Sequence, residues 1–269
     1  QGYWICIHLF LNLILKKQGQ AGFNSMLTLM AGWNNKYNGS INFNYRKNKV
    51  NVYGGVSGTS YYTDVAGDLN RTSVIGGKDY EYNTYLEQVT TVTNYSGNVG
   101  LDFDPNDKNT FSVSSNFGPL NFDIDLNNKV YRGFTENPLN EQLATNGLLL
   151  KGVYVNPKIG WLHKFDKEGH QIDINIFAGG FNGELIQDRN EFLTDGNWIS
   201  IQDAWLKSKS SEISSIRDAR LKIDYEKPFG ANKLELGSQL SHYNEDNEFV
   251  LDNFNFELDQ WIQSDKYSN

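Results

Sequence analysis

The hydrophobic residues of this chain recur at every second position along most of its length. Between Tyr37 and Tyr45, apolar residues or glycine occupy the odd positions and Asn or Ser the even ones. This alternation is typical of β-strands with one apolar and one polar face. The same period returns along the chain and predicts about nine or ten strands of roughly 10 to 15 residues. A short helix is expected only within residues 204–216.

Short and long connections alternate between the predicted strands, so tight turns are expected at one end of the sheet and long loops at the other. The short polar connections are residues 46–49, 104–109, 166–170 and 227–232. The long connections, which are polar and rich in aromatic residues, are 61–87, 123–149 and 187–214. The short connection at 33–36 is an exception if it lies at the loop end.

An aromatic residue stands at or beside each tight turn. Aromatic side chains held at one level at the ends of strands are typical of the girdle of a membrane β-barrel. The alternative is a set of core aromatics that cap a soluble sandwich. The four residues predicted to form the girdle are Tyr45, Phe103, Phe165 and Phe229.

Strand length favours an antiparallel transmembrane β-barrel. Strands of soluble proteins average about 5–6 residues, whereas a tilted transmembrane strand needs roughly 9–11. The mean hydropathy of −0.55 agrees with a barrel, because only alternate residues face lipid and the loops are polar. A secreted or surface β-sandwich that binds carbohydrate remains the alternative.

Composition excludes several other classes. The chain has 269 residues, 24 Lys and Arg against 32 Asp and Glu, and no basic cluster, so a nucleic-acid partner is not expected. The longest apolar run, residues 3–15, is interrupted by His8 and Asn12 and is too short for a transmembrane helix. Cys6 is the single cysteine, which excludes a disulfide scaffold.

The start of the chain resembles the plug-to-barrel junction of the TonB-dependent outer-membrane receptors, in particular the Bacteroidota outer-membrane β-barrel family. The matching segments are Leu13-Ile14-Leu15-Lys16-Lys17, then Gly22-Phe23-Asn24, then the hairpin that runs from Tyr45-Arg46 through Lys49 to Gly54. The resemblance implies an outer-membrane protein of a Gram-negative bacterium. Its implied partners are outer-membrane lipid, the TonB system through a plug region, and a small ligand at the extracellular loops.

The resemblance divides the chain into two parts. Residues 1–21 form an atypical N-terminal segment with the end of a plug-like strand, and residues 22–269 form a partial outer-membrane β-barrel domain. Receptors of this kind resemble barrels of about 22 strands, so the chain is expected to be a fragment. The first ten residues depart from the family pattern, because small residues and glycine would be expected there. The end at Lys266-Tyr267-Ser268-Asn269 departs from it as well, because the last residue is not aromatic.

No catalytic, metal or cofactor site is predicted. The four histidines lack metal-ligand spacing, and Ser241 and His242 are sequence neighbours that would face opposite sides of a strand, which disfavours an outer-membrane hydrolase. Acidic residues in the predicted loops, such as Asp188 and Glu191, are interpreted as solvated charge rather than as a glycosidase pair.

The loop aromatics are the predicted ligand contacts, because Tyr and Trp combine a large stacking surface with a polar group. The implied function is uptake of a siderophore, glycan, peptide or vitamin, without any bond being broken. Packing within the loops is the alternative role for these residues, which are Tyr61, Tyr62, Tyr80, Tyr82, Tyr85, Trp198 and Trp205.

Overall fold

The structure, a computed structural model, describes residues 7–14, 21–33, 35–134, 140–166, 168–195 and 197–265. Within these ranges eleven strands form one antiparallel sheet, and each strand pairs with its neighbours in sequence. The strands are β1 (Ile7–Ile14), β2 (Ala21–Gly32), β3 (Lys36–Lys47), β4 (Val50–Ile75), β5 (Lys78–Asn106), β6 (Asn109–Phe134), β7 (Asn140–Lys164), β8 (Gln171–Leu193), β9 (Leu206–Phe229), β10 (Asn232–Asn255) and β11 (Gln260–Gln263).

The all-β, antiparallel prediction is confirmed, and the sheet is open between β1 and β11 in the described part of the chain. All described strands belong to this one sheet, whereas a sandwich requires two packed sheets. β1 falls inside residues 1–21 and pairs with β2 through Ile7–Ala31 to Ile14–Asn24. The remaining residues of the expected plug junction, Leu15 to Lys17, lie outside the described residues, as does the chain end at 266–269. The proposed domain division stays a prediction.

The long connections expected at 61–87 and 123–149 are wrong, because most of these residues continue the strands. β4 and β5 pair without interruption from Val50–Phe103 to Ile75–Lys78. Gly76 and Gly77, with φ of 58° and 80°, close this hairpin in two residues; positive φ at both turn positions matches the twist of the strands. Thr and Tyr are good strand formers, so the polar character of this segment does not prevent pairing.

The third long connection is loop only in its middle. β8 continues to Leu193 and β9 begins at Leu206, which leaves residues 194–205 as the loop. The short helix expected at 204–216 is therefore wrong, since most of that segment is paired along β8 and β10. No helix in the described ranges is long and apolar enough to cross a membrane.

The tight turns predicted at one end of the sheet are observed, whereas the other end carries long paired hairpins in place of most of the predicted loops. Short turns follow β3, β5, β7 and β9, and the other end carries the long hairpins of β4 to β9. The short turn between β2 and β3 lies at the same end as these hairpins, so it is the expected exception. We call the part of β4 to β9 beyond residues 60, 93, 119, 152, 183 and 215 the extension.

The strands present two faces, and these exchange character along their length. The outer face is the one that carries Tyr37, Ile41 and Phe43 on β3, and the opposite face is the inner face. On β6 the outer face is apolar near the turn (Phe111, Val113, Phe117) and polar in the extension (Asp123, Asp125, Asn127). Pairing with β7 is continuous from Asn109 to Arg132, so the exchange is not a register slip.

Candidate functional site

The segment of the sheet next to the tight turns has an apolar outer face and a polar inner face. On β4 and β5 the outer apolar band covers residues 50–58 and 95–103, a length that matches the roughly 9–11 residues of a tilted transmembrane strand. Val56 and Val99 in this band are 62% and 49% exposed. We call this part of the sheet the band.

Strand β9 shows most clearly the difference between the apolar outer face and the polar inner face. Its outer face carries Ala219, Leu221, Ile223 and Tyr225, and its inner face carries Asp218, Arg220, Lys222 and Asp224. The inner charges pair along the strand, with Lys222 Nζ 2.8 Å from Asp224 Oδ2 and Arg220 Nε 3.2 Å from Asp218 Oδ2. Charged side chains are costly against lipid, so only the outer face of β9 has the composition that a lipid-facing surface requires.

A continuous row of aromatic rings crosses the tight-turn end of β6 to β9. The centroid distances along the row are 6.4 Å from Phe111 to Trp161, 5.7 Å on to His163, 4.7 Å to Phe165, 4.3 Å to His170 and 5.4 Å to Tyr225. Asn109 Oδ1 accepts a hydrogen bond of 3.2 Å from Trp161 Nε1 and lies 2.8 Å from His163 Nδ1. Two of the four histidines are thus part of this row.

The four predicted girdle residues all lie at this end of the sheet. Phe165 is a member of the aromatic row, and Phe103 pairs with Phe111 across β5 and β6. Tyr45 and Phe229 lie beside the turns after β3 and β9. All four are 41–52% exposed. Their role at a membrane interface stays a prediction.

Polar contacts join neighbouring tight turns. Arg46 pairs with Asp104, and Lys49 donates a hydrogen bond to the Pro105 carbonyl, so the turn after β3 is fastened to the turn after β5. The Thr110 hydroxyl donates a 2.6 Å hydrogen bond to Asp104. In the turn after β7, the backbone N–H of His170 donates to Asp166, which lowers the pKa of this carboxyl.

A polar cavity of about 230 Å³ lies on the inner face of the extension. It spans β5 to β8, and four of its lining residues are at least nine-tenths buried: Val130, Gln142, Ala144 and Glu191, at 7%, 8%, 8% and 5% exposure. Arg189 pairs with Glu191. The other lining residues are Tyr82, Asn128, Arg132 and Asn146.

A second cluster lies on the outer face of the extension. Lys129 Nζ is 5.8 Å from the ring centroid of Tyr85 and 6.0 Å from that of Trp198. The Trp198 ring meets Tyr131 edge to face at 4.9 Å. The Tyr131 hydroxyl donates a 2.7 Å hydrogen bond to Glu141, which raises the pKa of the phenol.

Loop 194–205 holds Trp198 in an uncommon backbone conformation. Trp198 has φ of 64°, a left-handed conformation that bulky residues rarely adopt. The Asp195 carboxylate accepts 2.9 Å hydrogen bonds from the backbone N–H groups of Asn197 and Ile199 on either side of Trp198. These bonds lower the pKa of Asp195, so the carboxylate is charged at neutral pH and fixes the loop.

The seven predicted contact aromatics do not form one platform. By register, Tyr61, Tyr80 and Tyr82 lie on the inner face, and Tyr62 and Tyr85 on the outer face. Tyr82 lines the cavity, Trp198 packs with the outer cluster, and Trp205 is an exposed residue of loop 194–205. Whether any of them contacts a ligand stays a prediction.

The sequence reasoning missed most of the cavity lining. Arg132, Gln142, Arg189 and Glu191 come from three different strands and share no motif. The period of the strands was the one sequence signal that could have grouped these residues, because residues two apart on a strand face the same side. Using that signal required knowing that these segments are strands and not loops.

The remaining chemical candidates are separated by the fold. Ser241 pairs with Arg220 and His242 with Ala219, so the two side chains face opposite sides as expected. Asp188 lies on the outer face and Glu191 on the inner face. Within the described ranges no group of three His, Cys, Asp or Glu side chains could hold a metal ion.

Part of the chain is similar to a known protein family. Residues 163–269 match the model of the outer membrane protein beta-barrel family. The antiparallel sheet of long strands and this match, which covers 107 of the 269 residues, indicate the fold class of an outer-membrane β-barrel. No curated protein and no solved structure gives a significant match to the chain.

Proposed function

We propose that this chain forms part of the barrel of a TonB-dependent receptor in the outer membrane of a Gram-negative bacterium of the Bacteroidota. The receptor captures a scarce ligand at its extracellular face, and an energised plug releases it through the lumen. The ligand is a siderophore, glycan, peptide or vitamin. The resemblance of residues 13–54 to the plug-to-barrel junction of these receptors supports this reading.

The observation that carries the proposal is the charged inner face of β9 directly behind an apolar outer face. Charged side chains at the level of the band require a wet interior, and a water-filled lumen is what a transport barrel provides. A membrane-spanning sheet must satisfy every backbone hydrogen bond internally. The proposed barrel therefore requires further strands that pair with the open edges at β1 and β11. No catalytic step is proposed.

The extension supports ligand capture at one end of the barrel. It carries the cavity on the inner face and the cluster of Lys129, Tyr131 and Trp198 on the outer face. Because the strands continue beyond the band, the proposal locates both features above the membrane surface. Porins and receptors of this architecture have short periplasmic turns and long extracellular connections, so the tight turns face the periplasm.

Accumulation of ligand should require both this protein and TonB. Cells with and without the full-length gene, each in the presence and absence of functional TonB, are given radiolabelled ferric citrate, maltoheptaose, a tetrapeptide and cyanocobalamin. We expect one probe to accumulate only when both gene and TonB are present, because release into the periplasm needs the energised plug. Gene-dependent accumulation that continues without TonB would contradict the proposal.

The orientation of the sheet gives a second prediction. In a background in which Cys6 is replaced by Ser, Asn70→Cys in the extension and Asp107→Cys in a tight turn are both exposed positions. A membrane-impermeant maleimide should label Asn70→Cys on intact cells and Asp107→Cys only after the outer membrane is broken. The reverse pattern would place the extension in the periplasm and remove its role in ligand capture.

A further inference from the structure

The cavity on the inner face of the extension has an unbalanced set of charges. Of its lining residues only Arg132, Arg189 and Glu191 are charged. Arg189 and Glu191 form an ion pair, and Arg132 has no ion pair or hydrogen bond with any residue that the structure describes. The described lining residues therefore carry one positive charge in excess, although the whole chain has a net charge of −8.

A second unused polar group faces the same space. Gln142 is 8% exposed, lines the cavity and has no hydrogen bond to a described residue. Its amide is not among the fully buried polar groups that lack a partner, so it reaches the open space of the cavity, where it can donate to or accept from a ligand. Arg132 and Gln142 lie on adjacent strands, β6 and β7, two ladder positions apart, because Gln142 pairs with Val130.

The size and shape of the cavity limit what can enter. The volume of about 230 Å³ is below the roughly 300–1,000 Å³ of pockets that enclose drug-sized ligands. One sugar ring or the end of a peptide therefore suits the cavity better than a whole siderophore. Tyr82, which pairs directly with Arg132 across β5 and β6, offers an aromatic face to such a group.

The charge pattern selects the chemistry of the ligand. The planar guanidinium of Arg matches a carboxylate with two parallel hydrogen bonds. A phosphate dianion fits less well, because the buried carboxylate of Glu191 lines the same cavity and repels a second negative charge. The amides of Asn128, Gln142 and Asn146 are suited to hydroxyl or peptide groups next to the carboxylate.

From these observations we propose that the cavity binds the carboxylate end of a small polar ligand, with Arg132 as the carboxylate receptor and Gln142 as its neighbouring donor. This inference rests on the proposed function, since it names the chemical group that the receptor captures. Two sources share this chemistry, a sugar acid and the C-terminus of a peptide.

Calorimetric titration of the detergent-solubilised full-length protein tests the inference. The probes are D-glucuronate and N-acetyl-alanyl-alanine, and their neutral counterparts are D-glucose and N-acetyl-alanyl-alanine amide. We expect one of the two acids to bind at least tenfold more tightly than its neutral counterpart. The acid that binds identifies the source. Equal affinity for the acid and its neutral counterpart, or no binding of either acid, would overturn the proposal.

Variants at Arg132 separate charge from geometry. Arg132→Gln should weaken binding of the acid at least tenfold, and Arg132→Lys, which keeps the charge but loses the planar fork, should lie between Arg132→Gln and the unsubstituted protein. Arg71→Gln removes an exposed arginine of the same extension that does not line the cavity, and it should leave the affinity unchanged. Heat-modifiable gel mobility reports whether each variant is folded.

This titration requires neither TonB nor transport, so the two proposals fail separately. Binding of the acid together with TonB-independent accumulation would contradict the receptor function and leave the cavity assignment standing. If a folded Arg132→Gln protein binds the acid as tightly as the unsubstituted protein, the cavity assignment is wrong, whatever the uptake experiment shows.

Discussion

Replacement of Val113 by Arg is expected to destabilise the protein in lipid by about 2–4 kcal/mol, the cost of an arginine on the lipid face near the bilayer midplane. Val113 lies on the outer face of β6 within the band and is 54% exposed. No acidic side chain stands beside it on the outer face of β5 or β7, where its pairing partners are Leu101 and Ile159. Urea unfolding of the full-length protein in lipid vesicles measures the change.

Two matched variants on the same strand test the cause of this effect. Ser112→Arg places the same side chain one residue earlier, on the inner face, where water and Asp102, the partner of Ser112 on β5, solvate it. Asn127→Arg lies on the outer face but in the extension, beyond the exchange of polar and apolar sides. Both should cost under about 1 kcal/mol. If all three variants lose the same stability, the outer face of the band does not contact lipid.

The replacement Gly100→Ala should destabilise the protein by about 1–3 kcal/mol, the range for forcing atoms into a filled space. Gly100 lies on the inner face of β5, and a Cβ atom there would collide with the ring of Tyr53, its partner on β4. The aromatic ring covers the glycine, so it also shields the backbone of β5 from the lumen. Urea unfolding in vesicles again provides the measurement.

The control for this prediction is Gly67→Ala. Gly67 is in the extension of β4, and nothing lies within 4 Å of the position that its Cβ would take, so the change should be neutral or slightly stabilising. In a double-mutant cycle, Tyr53→Ala should reduce the cost of Gly100→Ala, because it removes the obstructing ring. Additive effects would mean that Gly100 is needed for a reason other than Tyr53.

The strand period of two was sufficient to predict the sheet and its apolar face. Ile41, Phe43 and Tyr45 alternate with Asn and Ser, and only a pleated strand places such residues on separate faces. The tight turns were equally readable, since Asn48 and Gly230 take the positive φ that hairpins require. The strand period and the turn residues together also predicted that one end of the sheet carries four aromatic residues, which are Tyr45, Phe103, Phe165 and Phe229.

The extension was not predictable in the same way. Residues 61–87 are polar and aromatic on both faces, and local composition of that kind is shared by loops and by strands in water. Pairing between strands decides whether such a segment is a loop or a strand. Thr63 on β4, for example, pairs with Thr90 on β5. The exchange of faces on β6 further hides the pattern, since the apolar residues move from odd to even positions between Phe117 and Phe122.

The sequence by itself determined that this protein forms antiparallel strands with one apolar face, because strand period and turn chemistry are local properties of neighbouring residues. Only the tertiary structure decided which long segments are strands, and where residues from different strands meet. Arg132, Gln142 and Glu191 are far apart in the chain and share the cavity through the registers of β6, β7 and β8. Strand register depends on pairing along whole strands, so it cannot be inferred from a short stretch of sequence.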